Sequence, residues 1–283
     1  MTHSVTIYIP CYNAAGFIER CLQGVFAQTH PVREIIVVDD GPGDATAHIV
    51  SRYPVTVIRR SGRGGLVSAR NLVFKEAAGD LVAGIDADCV PDPDWLKRLI
   101  EHMTDKKIVG VGGKAYELYR ITRADQWRAA RMSQHWGDER IVDPKYLYGC
   151  NTLYRKDVVT RMGLFNEDYR RGFEDVDMSI RLKKAGHTLI YEPRALCYHL
   201  RQDTVSSLLM TRWNWTFSGW QGKRQPDSFF NVCCKTYDNL AYVLRLLGED
   251  IIKGRFFFVH IDAALFFHHL FHDLKFYFKH RKK

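Results

Sequence analysis

The chain has 283 residues, enough for one large α/β domain or two small ones, and 46% apolar content supplies a full core and excludes a disordered chain. The net charge of +9 suits nucleic acid, an anionic membrane or a phosphate-bearing substrate without choosing among them. Seven cysteines (11, 21, 89, 150, 197, 233 and 234) form no C-x-x-C pair, which points to reduced thiols rather than a disulfide framework or a zinc site.

The start, Met1-Thr2-His3-Ser4, lacks the basic and apolar regions of a signal peptide. No run of about eighteen apolar residues occurs, so no classical membrane span is expected. Together these predict a cytoplasmic protein.

The first half alternates strand and helix patterns. Residues 5–10 read as an apolar strand, and 17–27 as a helix with Phe17, Cys21, Leu22 and Val25 on one side. Residues 34–39 form a buried-type strand. Asp44 is placed to cap a helix to about 51, and 55–58 form a third strand. A helix over 68–78, closed by Gly79, leads to a fourth strand over 81–86. This order predicts an α/β fold with a mostly parallel sheet covered by helices. Right-handed crossovers then bring the strand ends to one edge, where open sheets bind ligands.

After Asp88 the order changes. A short helix is expected over 95–102, a glycine-containing strand over 108–115, and a surface helix over 122–134 carrying Arg123, Arg128 and Arg131. A mixed apolar strand follows over 146–154, then a helix over 176–185 ended by Gly186. A strand over 189–198 is broken at Pro193. The last third is different in character. Residues 206–220 hold Trp213, Trp215 and Trp220, and 256–278 are dense in Phe and His, interrupted by Asp262 and Asp273. From 253 to 283 there are seven Lys/Arg and two acids, a net +5. That segment suits an interfacial membrane anchor, or a core-packing helix with a solvated basic tail.

Four landmarks carry chemistry. Pro10-Cys11-Tyr12-Asn13 leaves the first strand, where Pro10 needs no ladder partner and Tyr12 can stack on a base. Asp39-Asp40-Gly41 ends the second strand with carboxylates that suit a base N–H or a ribose hydroxyl, or that cap the next helix. Asp86-Ala87-Asp88 ends the fourth. Alternation sets its two carboxylates on one side, a poor core and a good oxygen site for Mg²⁺ or Mn²⁺ on a diphosphate. Arg70, in the preceding helix, offers a fork of donors for phosphate or for neighbouring carboxylates. Last, Glu174-Asp175-Val176-Asp177 opens a helix and is too acidic for the macrodipole alone to explain, although Asp177 and Arg181 are spaced for an i,i+4 pair.

In order, spacing and identity these landmarks resemble the family 2 glycosyltransferases of the GT-A fold, over about residues 5–199. Gln28-Thr29, Ala69-Arg70-Asn71 and Ala78-Gly79-Asp80 match as well. The resemblance implies a GT-A domain over 1–200, with a nucleotide-sugar half at 1–115 and an acceptor half at 116–200, followed by a helical, aromatic and basic extension at 201–283. It implies inverting transfer of a sugar from a nucleoside diphosphate, UDP foremost, to a hydroxyl of a glycan or lipid-linked acceptor. Asp175 would be the general base. Pro10, Tyr12, Asp39, Asp40, Arg70, Asp86 and Glu174 would bind the nucleotide sugar. Asp86, Asp88 and His199 would hold Mg²⁺ or Mn²⁺. Two positions depart from the family pattern: Pro42 stands where Ser is usual, and Cys89 where a third acid is frequent.

A nucleotidyltransferase would carry a basic, Gly-rich loop after the first strand, and Cys11-Tyr12-Asn13-Ala14-Ala15-Gly16-Phe17 has no basic residue. A nucleic-acid-binding protein would cluster its basic residues, which here are spread out. A dead scaffold is at odds with the intact acids at 86, 88 and 175. Peripheral contact with the inner face of the cell membrane is expected through 253–283.

Overall fold

A computed structural model of the protein describes residues 3–41, 43–60, 62, 64–169, 172–219 and 225–281. Pro42, Trp220 and the two final lysines lie outside the described residues. The chain divides into two compact units. The first holds residues 1–118, 133–170 and 174–201, the second 119–132, 171–173 and 202–283.

The first unit is built on a nine-stranded sheet. Its first half is β1 (Val5–Cys11), α1 (Ile18–Phe26), β2 (Glu34–Asp39), α2 (Thr46–Val50), β3 (Thr56–Arg59), α3 (Leu66–Glu76) and β4 (Leu81–Ile85). It continues through β5 (Cys89–Pro91), α4 (Trp95–Ile100), β6 (Ile108–Glu117), β7 (Ile141–Val142), β8 (Asn151–Arg155), α6 (Lys156–Arg161), α7 (Glu174–Lys184) and β9 (Thr188–His199). The sheet order is β3-β2-β1-β4-β8-β6-β9-β5, with β7 on β9. Strands β1 to β4, β6 and β9 share one direction, and β5, β7 and β8 oppose it. The mostly parallel α/β architecture expected from the strand–helix alternation is thus present.

Strands with both faces covered need apolar residues at every position. β1 and β4 meet this need, being buried throughout. One face packs Ile7, Ile9, Leu81, Ala83 and Ile85 against α1 and α4. The other packs Tyr8, Val38 and Val82 against Val73 and Phe74 of α3.

The second unit contains α5 (Arg123–Arg131), α8 (Val205–Gly219), α9 (Phe229–Ile252), a 3-10 turn (Phe256–Phe258) and α10 (Val259–His280). Its core includes Trp127, Leu208, Val243, Leu246, Ile261 and Leu265.

Several local expectations change. The helix over α3 closes at Ala77, in an extended conformation, so Gly79 is not its cap. Glycine is needed there for another reason, because a Cβ would stand 2.6 Å from the Thr6 backbone nitrogen. The strand expected over 146–154 is confined to β8, and residues before it form the loop through Gly149. The break at Pro193 is a bulge: β9 runs on, while its register with β6 shifts between Gly113–Glu192 and Lys114–Leu196. The helix expected at the surface, α5, buries Arg128 and turns the side chain of the half-buried Arg131 inward. Arg128 pairs with Asp203 at 2.9 Å, and Arg131 pairs with Asp250. A guanidinium is buried this way only when a carboxylate meets it, and both acids lie more than seventy residues further along the chain, out of reach of a local reading. The N-cap of α2 is Ala45 rather than Asp44; Asp44 stands one residue earlier and accepts from the Thr46 N–H at 2.9 Å, and the Asp177–Arg181 pair forms at 2.8 Å. All seven cysteines are free thiols.

Candidate active site

Parallel strands end on the same edge, and that topology assembles the site. The C-terminal ends of β1, β2 and β4 carry Tyr12, Asp39-Asp40 and Asp86-Ala87-Asp88. The ends of β6 and β9 carry Glu117 and His199, which face each other in register. This is the crevice side of an open α/β sheet.

Arg70 is the hub. Its side chain is 2% exposed, and its Nη1 pairs with Glu174 Oε1. Nη2 donates to the Gly149 carbonyl at 3.0 Å and lies 3.5 Å from Asp86 Oδ1. A charge so deeply placed persists only when paired. Burial opposes its proton, yet the anionic groups around it outweigh that and raise its pKa. The approach depends on Gly149, since a Cβ there would meet Arg70 Nη1 at 2.6 Å. The next amide then anchors the predicted base: Gly149 N–H donates to Asp175 Oδ2 at 2.8 Å, and Val176 N–H to Oδ1 at 2.8 Å. Asp175 lies in the first turn of α7, where the helix dipole favours an anion. The chain enters α7 through Gly172 and Phe173, with φ of 106° and 84°. The second value is strained for a bulky residue and fixes where Glu174 and Asp175 begin.

Burial pushes the Glu174 carboxyl up to about 7; Arg70 opposes the rise and Asp175 adds to it. The Asp86 side chain is 31% exposed, with Arg70 beneath it. Burial there raises its pKa, Arg70 opposes, and the neighbouring Asp88 adds to the rise.

The antiparallel pairing of β5 with β9 aligns Cys89 with His199 and so sets Asp88 beside the imidazole. His199 Nε2 lies 3.2 Å from Asp88 Oδ2, and Nδ1 lies 3.0 Å from Glu117 Oε1. Burial disfavours a charge on His199, but Asp88 and Glu117 outweigh it and raise its pKa well above the usual range. This donor set fits a divalent cation. Without a cation both ring nitrogens face carboxylates and hold their protons; with Nδ1–H kept on Glu117, the outer-carboxylate arrangement of metal-binding histidines, loss of the Nε2 proton would free Nε2 and Asp88 Oδ2 for a cation. Cys89 Sγ is near both. Hydrogen bonding to Cys150 and Cys197, with burial, holds its thiol protonated, so a hard cation takes nothing from it.

Asp39 and Asp40 are placed differently. Asp40 Oδ1 and Oδ2 accept from the Gly64 and Gly65 amides at 2.9 and 2.7 Å, and Arg60 lies 3.2 Å away. Its carboxylate therefore holds the loop before α3. Asp39 is buried with Oδ1 unpartnered, and burial raises its pKa. Pro10 is buried in β1, and Tyr12 is 42% exposed beside Asn13, whose φ is 51°.

The structure thus brings Arg70, Asp86, Glu174 and Asp175 into one network, and Asp88 with His199 into another. Two contributors escaped the sequence reading. Glu117 ends a long strand with nothing local to mark it. Gly149 stands out only once Arg70 is seen against it.

Residues 6–163 match the glycosyl transferase family 2 model, so the chain belongs to that family. Poly-beta-1,6-N-acetyl-D-glucosamine synthase of Staphylococcus aureus is 27% identical over 238 residues, covering 76% of this chain and 54% of that one. Glycosyltransferase AglE of Haloferax volcanii is 28% identical over 199 residues, covering 66% and 64%. The chain therefore spans only about half to two thirds of these curated relatives. Among solved structures, the mannosyltransferase PcManGT of Pyrobaculum calidifontis, in complex with GDP-Man and Mn²⁺, superposes with a TM-score of 0.66 at 18% identity, covering 97% of this chain and 88% of that one. S. aureus TarS residues 1–349, in complex with UDP-GlcNAc, gives 0.55 at 16% identity, covering 78% and 67%. These likenesses establish the GT-A fold.

Proposed function

We propose that the protein transfers a sugar, with inversion, from a nucleoside diphosphate to an acceptor hydroxyl in glycan synthesis, and uses Mg²⁺ or Mn²⁺. The observation that carries this reading is the pair of networks at one sheet edge, Arg70–Asp86–Glu174 beside Asp88–His199–Glu117. The orphaned Asp39 Oδ1 is the acceptor for a base N–H or a ribose hydroxyl, with the Tyr12 ring as a stacking face. Asp40 shapes the loop beneath the nucleotide. Asp88 and His199 would hold the cation, with Asp86 on the nucleotide side. When bound, the cation supplies Lewis-acid stabilisation of the departing diphosphate.

Asp175, fixed by two backbone amides, takes the proton of the attacking hydroxyl. One carboxylate suffices, because inversion needs no covalent glycosyl-enzyme. Arg70 and Gly149 are positioning groups that hold Glu174 and Asp175 in place. UDP is the first nucleotide to test, with dTDP and GDP open. The acceptor is a glycan or lipid-linked glycan, and contact through 253–283 with the inner face of the cell membrane belongs to the same reading.

The test is a thermal-shift screen of nucleoside diphosphates and sugar nucleotides, with and without Mn²⁺. A ligand of the folded state stabilises it by mass action, by about 2.7 kcal/mol at a hundredfold excess over Kd, and so raises the midpoint. A nucleotide shift enhanced by Mn²⁺ is expected for the wild type and should lose its Mn²⁺ dependence in Asp88→Ala. A chain that no sugar nucleotide stabilises in either condition defeats the proposal.

A further inference from the structure

The helices of the second unit are sorted backwards for a water-soluble protein. The outer stripe of α9 is Phe230, Tyr237, Leu240, Leu244 and Ile251, and Phe230 is 72% exposed. Its inward positions include Lys235 and Asp250, both buried. On α10 the outer stripe is Phe267, Phe271 and Phe278, whereas Asp262, His269 and Asp273 point inward. Between the two helices Ile252 and Phe256 continue the apolar surface, at 86% and 64% exposure. Soluble helices place apolar residues inward and charges outward. Large apolar side chains exposed in this number mark an interaction surface.

The fate of the acids decides the sign of that surface. Asp250 pairs with Arg131 and, at 2.6 Å, with Arg255. Asp262 accepts from Trp127 Nε1 at 2.7 Å. Asp273 accepts from Trp213 Nε1 at 3.0 Å and pairs with Lys235 at 3.2 Å. Glu249 pairs with Arg131 and Arg245. From 229 to 281 the acids are buried or, at Asp238 and Glu249, half-buried, whereas Arg245, Lys253, Lys275, Lys279 and Arg281 are exposed.

From this sorting we infer that the joint outer face of α9, the 3-10 turn and α10 beds into the surface of a bilayer rich in anionic lipid. This deepens the membrane contact proposed above. It moves the contact from a basic tail to a two-helix face that begins at Phe229. Phenylalanines ringed by lysine and arginine match the acyl–headgroup boundary and the negative potential of such a surface. Among the described residues no helix is long and apolar enough to cross a membrane, so this face lies on the bilayer. A second copy fits poorly, because a two-fold pairing would set this basic rim against itself.

Vesicle co-sedimentation of the whole protein tests the inference. Deleting residues from 253 onward is the wrong probe, because it removes the buried partners of Trp127 and Trp213. Outward substitutions avoid that problem. Wild type should pellet with phosphatidylcholine vesicles doped with phosphatidylglycerol, less with phosphatidylcholine alone, and less at high salt. Lys275→Gln with Lys279→Gln should weaken partitioning on the order of thirtyfold. Phe230→Gln with Leu244→Gln, on α9 alone, should weaken it by about tenfold or more, and helical content should be unchanged.

Three outcomes overturn the inference. One is wild type staying in the supernatant with anionic vesicles, and another is the α9 variant pelleting like wild type. The third is a vesicle-free dimer that Phe267→Gln with Phe271→Gln dissociates. Binding should need neither nucleotide nor metal and should survive Asp175→Asn, so failure here is separable from failure of the transferase reading.

Discussion

The two units spend their carboxylates in opposite ways. In the sheet unit, Asp86, Asp88 and Asp175 stand at strand ends and a helix start, partly open, over an apolar interior. In the helical unit, Asp250, Asp262 and Asp273 are buried and paired, while phenylalanines face outward. An acid on a parallel-sheet edge has capacity left for a ligand. Each of these acids inside the helix bundle has given one oxygen to arginine, lysine or an indole N–H and is buried from any ligand. Residue type alone does not separate the two uses; what separates them is whether the partners lie inside the protein.

Substitutions can break this comparison. The largest effect is expected for Asp175→Asn, with turnover falling by about 10² to 10⁴, the usual contribution of a positioned base. Nucleotide binding, read by thermal shift, should persist. Retained turnover would remove Asp175 from the chemistry. Next comes Asp250→Ala, which strands Arg255 and leaves Arg131 with Glu249 alone. It should cost about 3–5 kcal/mol of stability in urea unfolding and leave the Mn²⁺-dependent nucleotide shift in place. Were stability unchanged, the acids of the two units would not differ in the way described.

Glu117→Gln sharpens the metal assignment. Loss of the carboxylate behind His199 should weaken Mn²⁺ binding by about 10- to 100-fold, measured by titration calorimetry in the presence of nucleotide. Equal affinity in the variant would mean that His199 is not a ligand. The smallest effect is expected for Phe267→Gln, within about 0.5 kcal/mol of wild type, because its ring is exposed. The buried Phe74→Ala in the sheet unit should instead cost about 3–5 kcal/mol. A large loss for Phe267 would place that ring in a packed interface.

Much of the site was legible in the sequence because strand topology does the assembling. Once residues 5–10, 34–39 and 81–86 are read as parallel strands, Tyr12, Asp39, Asp40, Asp86 and Asp88 must reach one edge. Glu174 and Asp175 were legible as an acid cluster too dense for helix capping. Gly79 was read as a helix cap because closure is the commonest local use of glycine; its true constraint, contact with Thr6, is seventy-three residues away in sequence. α5 was read as a surface helix because three arginines suggest solvent, and nothing nearby reveals Asp203 or Asp250.

What the sequence determined by itself was therefore whatever depends on short range. The strand and helix periods, the order of elements, the acids at strand ends and the class of chemistry they support all follow from neighbours in the chain. The tertiary structure alone decided which charges were spent internally. It set Asp40 on a loop and left Asp39 open, placed Glu117 behind His199, let Arg70 lean on Gly149, and turned Asp262 and Asp273 inward so that phenylalanine and lysine remained outside. The physical reason is that a side chain's pairing and exposure depend on groups brought close in space from far along the chain.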